Sequence, residues 1–296
     1  MAGEYGIKSG DKHAFQGWQE SHKPFHWFVE FYGIIEPGGF STVIGNPPYR
    51  DMREVTDYRI LGLSTTDTNN LYAPMLERWL QLCGGAGYMG AIVPVSSIST
   101  EGYSSFQRID FRLPLHVSSF DDRPSRLFDG LEHIRLSIHI AQNTPSDSPS
   151  IFASECLRWT SDEREHLFSR VQYQQVQPTF LPSSLPKISR AIEGTILTKV
   201  WSDAKSIGMQ QVRRGDHIVC YSPKMASFLQ VLDFVPKVLD GRGRLRPPSE
   251  FKELRFSSEA EAQVALCVLN STLFRWYINV FSDFRHLNRR EIEGFR

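Results

Sequence analysis

A short apolar run, Phe40–Gly45 (FSTVIG), passes directly into Asn46-Pro47-Pro48-Tyr49. Two consecutive prolines fix φ and remove two N–H donors, so a strand cannot continue through them. The run must therefore end as a buried strand, and the chain must leave it through a stiff corner. Downstream, Asn69–Cys83 (NNLYAPMLERWLQLC) sets Leu71, Met75, Leu76, Trp79, Leu80 and Leu82 at mostly helical spacing. Asn69 can cap this helix and Gly84-Gly85 can stop it. Tyr88–Val95 (YMGAIVPV) then reads as a second buried strand.

The pattern continues with a short helix over Thr100–Asp110 and a third strand over Leu113–Phe120. Ile134–Ile140 alternates apolar and polar residues, as an antiparallel or edge strand does. Strands and helices in this order predict an α/β sheet with helices on its faces. Ahead of it, residues 1–24 read as a loose docking segment and Phe25–Phe31 as a short helix laid on a core. Beyond Asn143 the texture changes. Thr144–Ser150 (TPSDSPS) has the composition of a linker, Ser161–Val171 reads as a helix capped by Ser161, and Gln177–Pro186 is irregular. Ser258–Phe281 holds one long helical candidate. The expected division is 1–143 and 144–296, the second part being α+β.

Lys+Arg and Asp+Glu number 33 each, so the formal net charge is zero. A protein that coats polyanions would be strongly basic, so any nucleic-acid contact must use a local surface. Three basic stretches supply one: Arg213-Arg214, Lys237–Arg246 with Arg242 and Arg244, and Arg285–Arg290 with Arg289. There Arg and Lys can hold phosphates or read base edges, or simply form solvated loops. The four cysteines lie far apart, which predicts buried thiols in a reducing cytoplasm and not a zinc site or a disulfide scaffold. No run approaches the ~18 apolar residues of a membrane span.

The corner carries the chemistry. In open α/β sheets ligands bind outside the carboxyl ends of the strands, which is where Asn46–Tyr49 falls. The Asn46 side-chain oxygen and the Pro47 carbonyl can each accept a hydrogen from an exocyclic amine. Tyr49 can stack on the ring of a base turned out of its duplex. Two acceptors pull an aromatic amine toward tetrahedral geometry and free its lone pair, which acts on the barrier as well as on binding. The competing reading is a rigid turn with no chemistry.

GGFSTVIGNPPY, the helix after it and GYMGAIVPVSS resemble the amino-methyltransferases that modify adenine in DNA. More narrowly the chain is similar to the type IIG restriction–modification methylases and related phage-defence enzymes. FHWFVEF, LFDGLEHIRLSIHIA and ALCVLNSTLFRWYINVFSDFRHLNRREIEGF extend the likeness. The resemblance implies a partial Rossmann-like methyltransferase sheet followed by a target-recognition module. It implies Asn46, Pro47, Pro48 and Tyr49 as the adenine pocket, S-adenosylmethionine as donor and double-stranded DNA as partner. Ser41 departs from the family, which often has Asp there.

A donor site of that fold needs a Gly-rich turn leaving a strand, and an acidic residue ending the next strand. Gly84–Gly87 follows a helix, and Gly241-Arg242-Gly243 leads into Arg-Leu-Arg-Pro-Pro, so neither fits. The expectation is a fragment, a remnant or one half of a split enzyme whose cofactor-binding strands come from elsewhere, such as a second chain. A non-catalytic DNA-recognition subunit and an unrelated α/β protein stay open as alternatives. His133 and His139, six apart, are expected on one face of a strand with no third metal ligand. Asp203-Ala204-Lys205 with Glu193 is a faint nuclease pattern, Asp121-Asp122 reads as a loop pair, and Phe274, Trp276, Tyr277 and Phe281 read as core.

Overall fold

The computed structural model of the chain describes residues 2–8, 10–55, 60–201, 205–225 and 229–296. Asp203 and Ala204 of the nuclease pattern lie outside the described residues. Near the start, α1 (Lys12–His22) is capped by Asp11, whose carboxylate accepts from the Ala14 N–H at 2.9 Å. The segment expected to be loose thus holds a helix, although it buries Trp18 alone. The next two helices, α2 (Trp27–Glu30) and α3 (Tyr32–Ile35), are single turns with no buried residue. The aromatic run is therefore not laid on a core: Phe25, Trp27 and Phe31 pack against one another, and Phe31 against Phe40.

The chain continues through β1 (Phe40–Gly45), α4 (Tyr72–Leu82), β2 (Cys83–Pro94), α5 (Ser104–Asp110) and β3 (Leu115–Phe120). Three more strands complete the main sheet: β4 (Leu136–Gln142), β5 (Ile151–Leu157) and β6 (Gln174–Val176). Their order is β1-β2-β4-β3-β5-β6. β1, β2, β3 and β5 run in one direction, β4 and β6 in the other. The alternating strand is antiparallel as expected, but it lies at the centre of the sheet, clamped between β2 and β3.

β1 sits at an edge, not in the interior that its apolar run predicts. Ile44 is 81% exposed, and Tyr88 and Ile140 are nearly half exposed on the neighbouring strands. On the buried side, α4 turns Tyr72, Ala73, Leu76 and Leu80 toward Met89, Ala91 and Val93 of β2. Gly84–Gly87 is no helix terminator but part of β2, which starts where α4 stops. Close backbone approach explains Gly84 and Gly87, whose added Cβ atoms would stand 2.7 Å from the Gly38 carbonyl oxygen and 2.8 Å from that of Phe40, but not Gly85. Gly39, at φ +105°, would place a Cβ 2.7 Å from the Leu82 carbonyl oxygen.

The expected boundary after residue 143 falls inside this sheet, since β5 and β6 lie beyond it and β5 pairs with β3. Ser161–Val171 forms two 3-10 turns, and Thr160, not Ser161, makes the capping box with Glu163. From α6 (Ala191–Trp201) and α7 (Ile207–Gln210) onward the chain is α+β. A three-stranded antiparallel sheet joins β7 (His217–Tyr221), β8 (Val231–Leu232) and β11 (Lys252–Phe256), in the order β11-β7-β8. A small hairpin pairs β9 (Val238–Leu239) with β10 (Leu245–Arg246). The long helical candidate is two helices, α8 (Glu259–Leu269) and α9 (Thr272–Phe281), bent by 65°. Ser271 causes the break by capping α9, its hydroxyl accepting from the Phe274 N–H. No single described helix is long and apolar enough to cross a membrane.

One apolar core runs through both parts, from Tyr72 to Phe295, with Phe274, Tyr277 and Phe281 fully buried in it as expected and Trp276 only partly buried against it. Backbone bonds from Leu185 to Ile98 and from Lys187 to Val280 stitch the parts together. The cysteines are all free; Cys83 and Cys220 are buried, whereas Cys267 is exposed against expectation.

Candidate functional site at the carboxyl end of the sheet

The corner after β1 is built by its neighbours. Gly45 lets the indole of Trp79 stand where a Cβ would otherwise be, 2.8 Å away. Pro47 is buried, Asn46 and Pro48 are exposed, and Tyr49 is half-buried. Beyond it the chain is laced to the start of α4. The Leu71 N–H donates to the Arg50 carbonyl at 3.0 Å and the Met52 N–H to that of Asn69 at 3.0 Å. Asn69, at φ +55°, is not the helix cap; the Asn70 side chain accepts from the Tyr72 N–H instead. Glu77 of α4 fixes the rest of the loop, accepting from the backbone and hydroxyl groups of Ser64 and Thr65 at 2.8–3.1 Å.

Within the corner, Asn46 and Tyr49 meet. The Tyr49 hydroxyl lies 2.7 Å from Asn46 Oδ1 and 2.9 Å from the Ile92 carbonyl of β2. Its single proton is held between two acceptors, and burial pushes its pKa up to about 12. A phenol that stays protonated fixes the Asn46 amide through one lone pair of its oxygen and leaves the other open. No N–H among the described residues donates to the Pro47 carbonyl. The Tyr49 ring stands edge-on to Tyr72, which stacks on Tyr103 at 5.3 Å.

Tyr49 lines a cavity of about 220 Å³ together with Asn70, Tyr103 and residues 94–96 at the end of β2. Residues 133–135, leading into β4, form another side, and Asp283, Arg285 and His286 close it from beyond α9. The cavity is smaller than the ~300–1,000 Å³ of drug-sized sites, so it suits one flat ring and not a dinucleotide. Asn46 is held against the Tyr49 hydroxyl but is not itself part of the cavity wall.

The basic residues divide. Arg213, Arg214, Lys237, Arg242 and Arg285 are exposed, with no side-chain partner among the described residues. Arg244 and Arg246 pair with Asp240 and Glu250 across and beside the β9–β10 hairpin, so this stretch is not simply a solvated loop. In the last helix, α10 (Arg289–Gly294), Arg289 pairs with Glu293. Arg290 cannot serve as a DNA contact. Its guanidinium is spent on the carbonyls of Pro182, Ser183 and Ser99 and on Glu291, and only 11% of its side chain is exposed.

The histidines are not on one strand face. His133 lies ahead of β4 at φ +62°, while His139 is buried in β4 and bonded to Asp110 at 2.8 Å. Asp121 lies in the loop after β3 as expected, but it is buried and not solvated. Burial pushes its carboxyl up, but Arg135 at 2.9 Å and Arg158 at 2.7 Å outweigh that and hold it below the usual range. Glu193 caps the start of α6, accepting from the Ser189 and Arg190 N–H groups and from Trp276 Nε1. Sequence reasoning misses Tyr103 and the Asp283 turn that holds Arg285, and it weighs His133 only as a metal ligand and Arg285 only as a surface DNA contact. Only the turn carries a local sign, an Asp placed to accept from the backbone two and three residues on.

Residues 6–114 match the family model described as Eco57I restriction-modification methylase. Over 89 residues the chain is 33% identical to a putative type II restriction enzyme and methyltransferase of Methanocaldococcus jannaschii, a stretch that is 30% of this chain. The chain spans 8% of that relative's length. Among solved structures, the type IIL restriction-modification enzyme MmeI in complex with DNA aligns over 85% of this chain and 45% of its own, at 12% identity and TM-score 0.40. A nuclease-deletion mutant of the type ISP enzyme LlaGI with a DNA substrate mimic aligns over 59% and 20%, at 13% identity and TM-score 0.39. The Asn46–Tyr49 corner, with β1, α4 and β2 around it, thus lies inside the segment that matches a restriction–modification methylase model.

Proposed function

We propose that this chain holds the target adenine for S-adenosylmethionine-dependent methylation of duplex DNA in a restriction–modification or phage-defence setting. The observation that carries the reading is the Tyr49 ring on a ring-sized cavity, with its hydroxyl fixing Asn46 Oδ1 at 2.7 Å. An adenine turned out of the duplex would lie on Tyr49. Its amine would reach past the cavity wall to the open lone pair of Asn46 and the Pro47 carbonyl, neither of which lines the cavity itself. Both acceptors favour the nitrogen as it becomes tetrahedral and positive more than they favour the flat ground state.

The described residues do not fit the donor. Gly84–Gly87 lies within β2, with Ala86 at φ +66°, Gly241 and Gly243 sit in the turn between β9 and β10, and Asp121 after β3 is taken by two arginines. The work of these side chains is to hold, orient and polarise the amine. That misfit favours a second reading, a DNA-recognition chain in which the corner is idle.

Transfer of labelled methyl from S-adenosylmethionine to adenine in unmodified genomic DNA, with the full chain alone and with its genomic neighbours' products, tests the proposal. Asn46→Ala should lower the rate at least ~100-fold, the cost of one well-placed polar group at a reacting centre, and leave DNA affinity nearly unchanged. Equal rates in variant and parent would refute the assignment. No transfer under either condition, with salt-dependent DNA binding intact, selects the second reading.

A further inference from the structure

The far wall of the cavity comes from a turn distant in sequence. Asp283 Oδ1 accepts from the backbone N–H groups of Arg285 and His286, each at 2.9 Å, and its Oδ2 accepts from His286 Nδ1 at 3.0 Å. The Met225 N–H donates to the Arg285 carbonyl at 3.1 Å, so the backbone of Arg285 is held on both sides. Its guanidinium is not. Arg135, Arg289 and Arg290 are each paired with a carboxylate, whereas the Arg285 side chain has no partner among the described residues and stands exposed on the cavity wall. Asp283 is the nearby acid, and its bonds to the turn and to His286 already occupy both of its oxygens. His133 borders the same cavity.

We propose that this cavity is a mononucleotide site in which Arg285 holds the phosphate of the nucleotide whose base lies on Tyr49. The proposal rests on the reading of Tyr49 as a base platform and adds the group that recognises the backbone of that same nucleotide. A cavity of about 220 Å³ takes the ring and leaves the sugar and phosphate at its mouth, where a guanidinium can grip two phosphate oxygens at once. His133 and His286 also border the cavity, with their Nδ1 atoms already meeting Arg123 and Asp283. The recognised unit is one nucleoside monophosphate, so a free nucleotide binds without a duplex, and the same residue in a strand binds by the same contacts.

Binding of dAMP, deoxyadenosine and dTMP to the full chain, followed by NMR shifts or calorimetry at millimolar ligand, tests this. A short single strand with one adenine between abasic positions tests the strand-borne source. Deoxyadenosine should bind about tenfold or more weakly than dAMP, the contribution of one charge-assisted phosphate grip. Arg285→Ala should erase that difference while deoxyadenosine affinity stays put, Arg285→Lys should restore part of it, and both should weaken the single strand. Equal binding of dAMP and deoxyadenosine to the parent, an unchanged difference in Arg285→Ala, or no binding of any nucleotide would overturn the site. The two readings fail separately. Equal affinity for dTMP and dAMP would sink the adenine assignment and leave the phosphate grip standing, while a phosphate increment absent from the parent or unchanged in Arg285→Ala, with adenine still preferred, would sink Arg285 alone.

Discussion

Lys187→Met should make the protein more resistant to urea at pH 6, and the advantage should fade as the pH approaches 10. The Lys187 amine is buried, donates to Ser99 Oγ at 3.1 Å and lies over the Phe284 ring at 5.3 Å. Burial lowers its pKa from 10.5 to about 7. The unfolded chain keeps the proton up to ~10.4, so between the two values the unfolded state binds more protons and stability rises with pH. Below pH 7 the penalty for the buried charge is present in full. At about 1.4 kcal/mol per pH unit between the two titrations it is at most about 5 kcal/mol. Met keeps the length of the stem without the charge, at a cost of about 1–3 kcal/mol for the hydroxyl of Ser99 left alone. Urea midpoints for parent and variant from pH 6 to pH 10 decide the matter: a gap that does not narrow with rising pH means that the amine is not buried as a cation.

The opposite sign is expected at the centre of the main sheet. His139 Nδ1 lies 2.8 Å from Asp110 Oδ2, and neither residue has exposed surface. The other ring nitrogen is 3.0 Å from Ser137 Oγ and 3.3 Å from Ser97 Oγ. Asp110→Ala removes the partner and leaves the imidazole with a polar edge facing nothing, which costs about 3–5 kcal/mol for a buried pair broken on one side. Asp110→Asn keeps the shape and one hydrogen bond, so it should lose clearly less. Equal losses in the two variants would mean that packing at the end of α5, and not the bond to His139, sets the cost.

What the amino-acid order reveals here is local. The β1 run, the diproline stop, α4 and the core residues of α9 are legible because each depends on periodicity or on a backbone rule within a few residues. Ser271 shows the limit. A cap inside an apolar helical pattern splits it, and the hydroxyl signal is easily lost among the surrounding hydrophobes. Gly84–Gly87 misleads for a different reason, since a glycine required by close backbone approach looks the same as one that ends a helix. Edge and centre are not legible at all. β1 is apolar yet open on one side, and β4 alternates yet is enclosed, because neighbours are decided by the whole sheet. The near half of the candidate site was therefore visible as Asn46–Tyr49, while Tyr103 and Arg285 reach the cavity only through tertiary packing.

The placing of β4 between β2 and β3 has a consequence for how the molecule comes into being. β2 and β3 leave the ribosome first, and they have no hydrogen bonds to offer each other until residues 136–142 slide in between. For that interval two apolar strands carry bare inner edges, which is where unfinished chains stick together. A truncation ending at residue 135 would freeze the polypeptide in that condition. Translation past residue 142 is the point at which the nascent sheet can close on itself and cease to be a hazard to its neighbours.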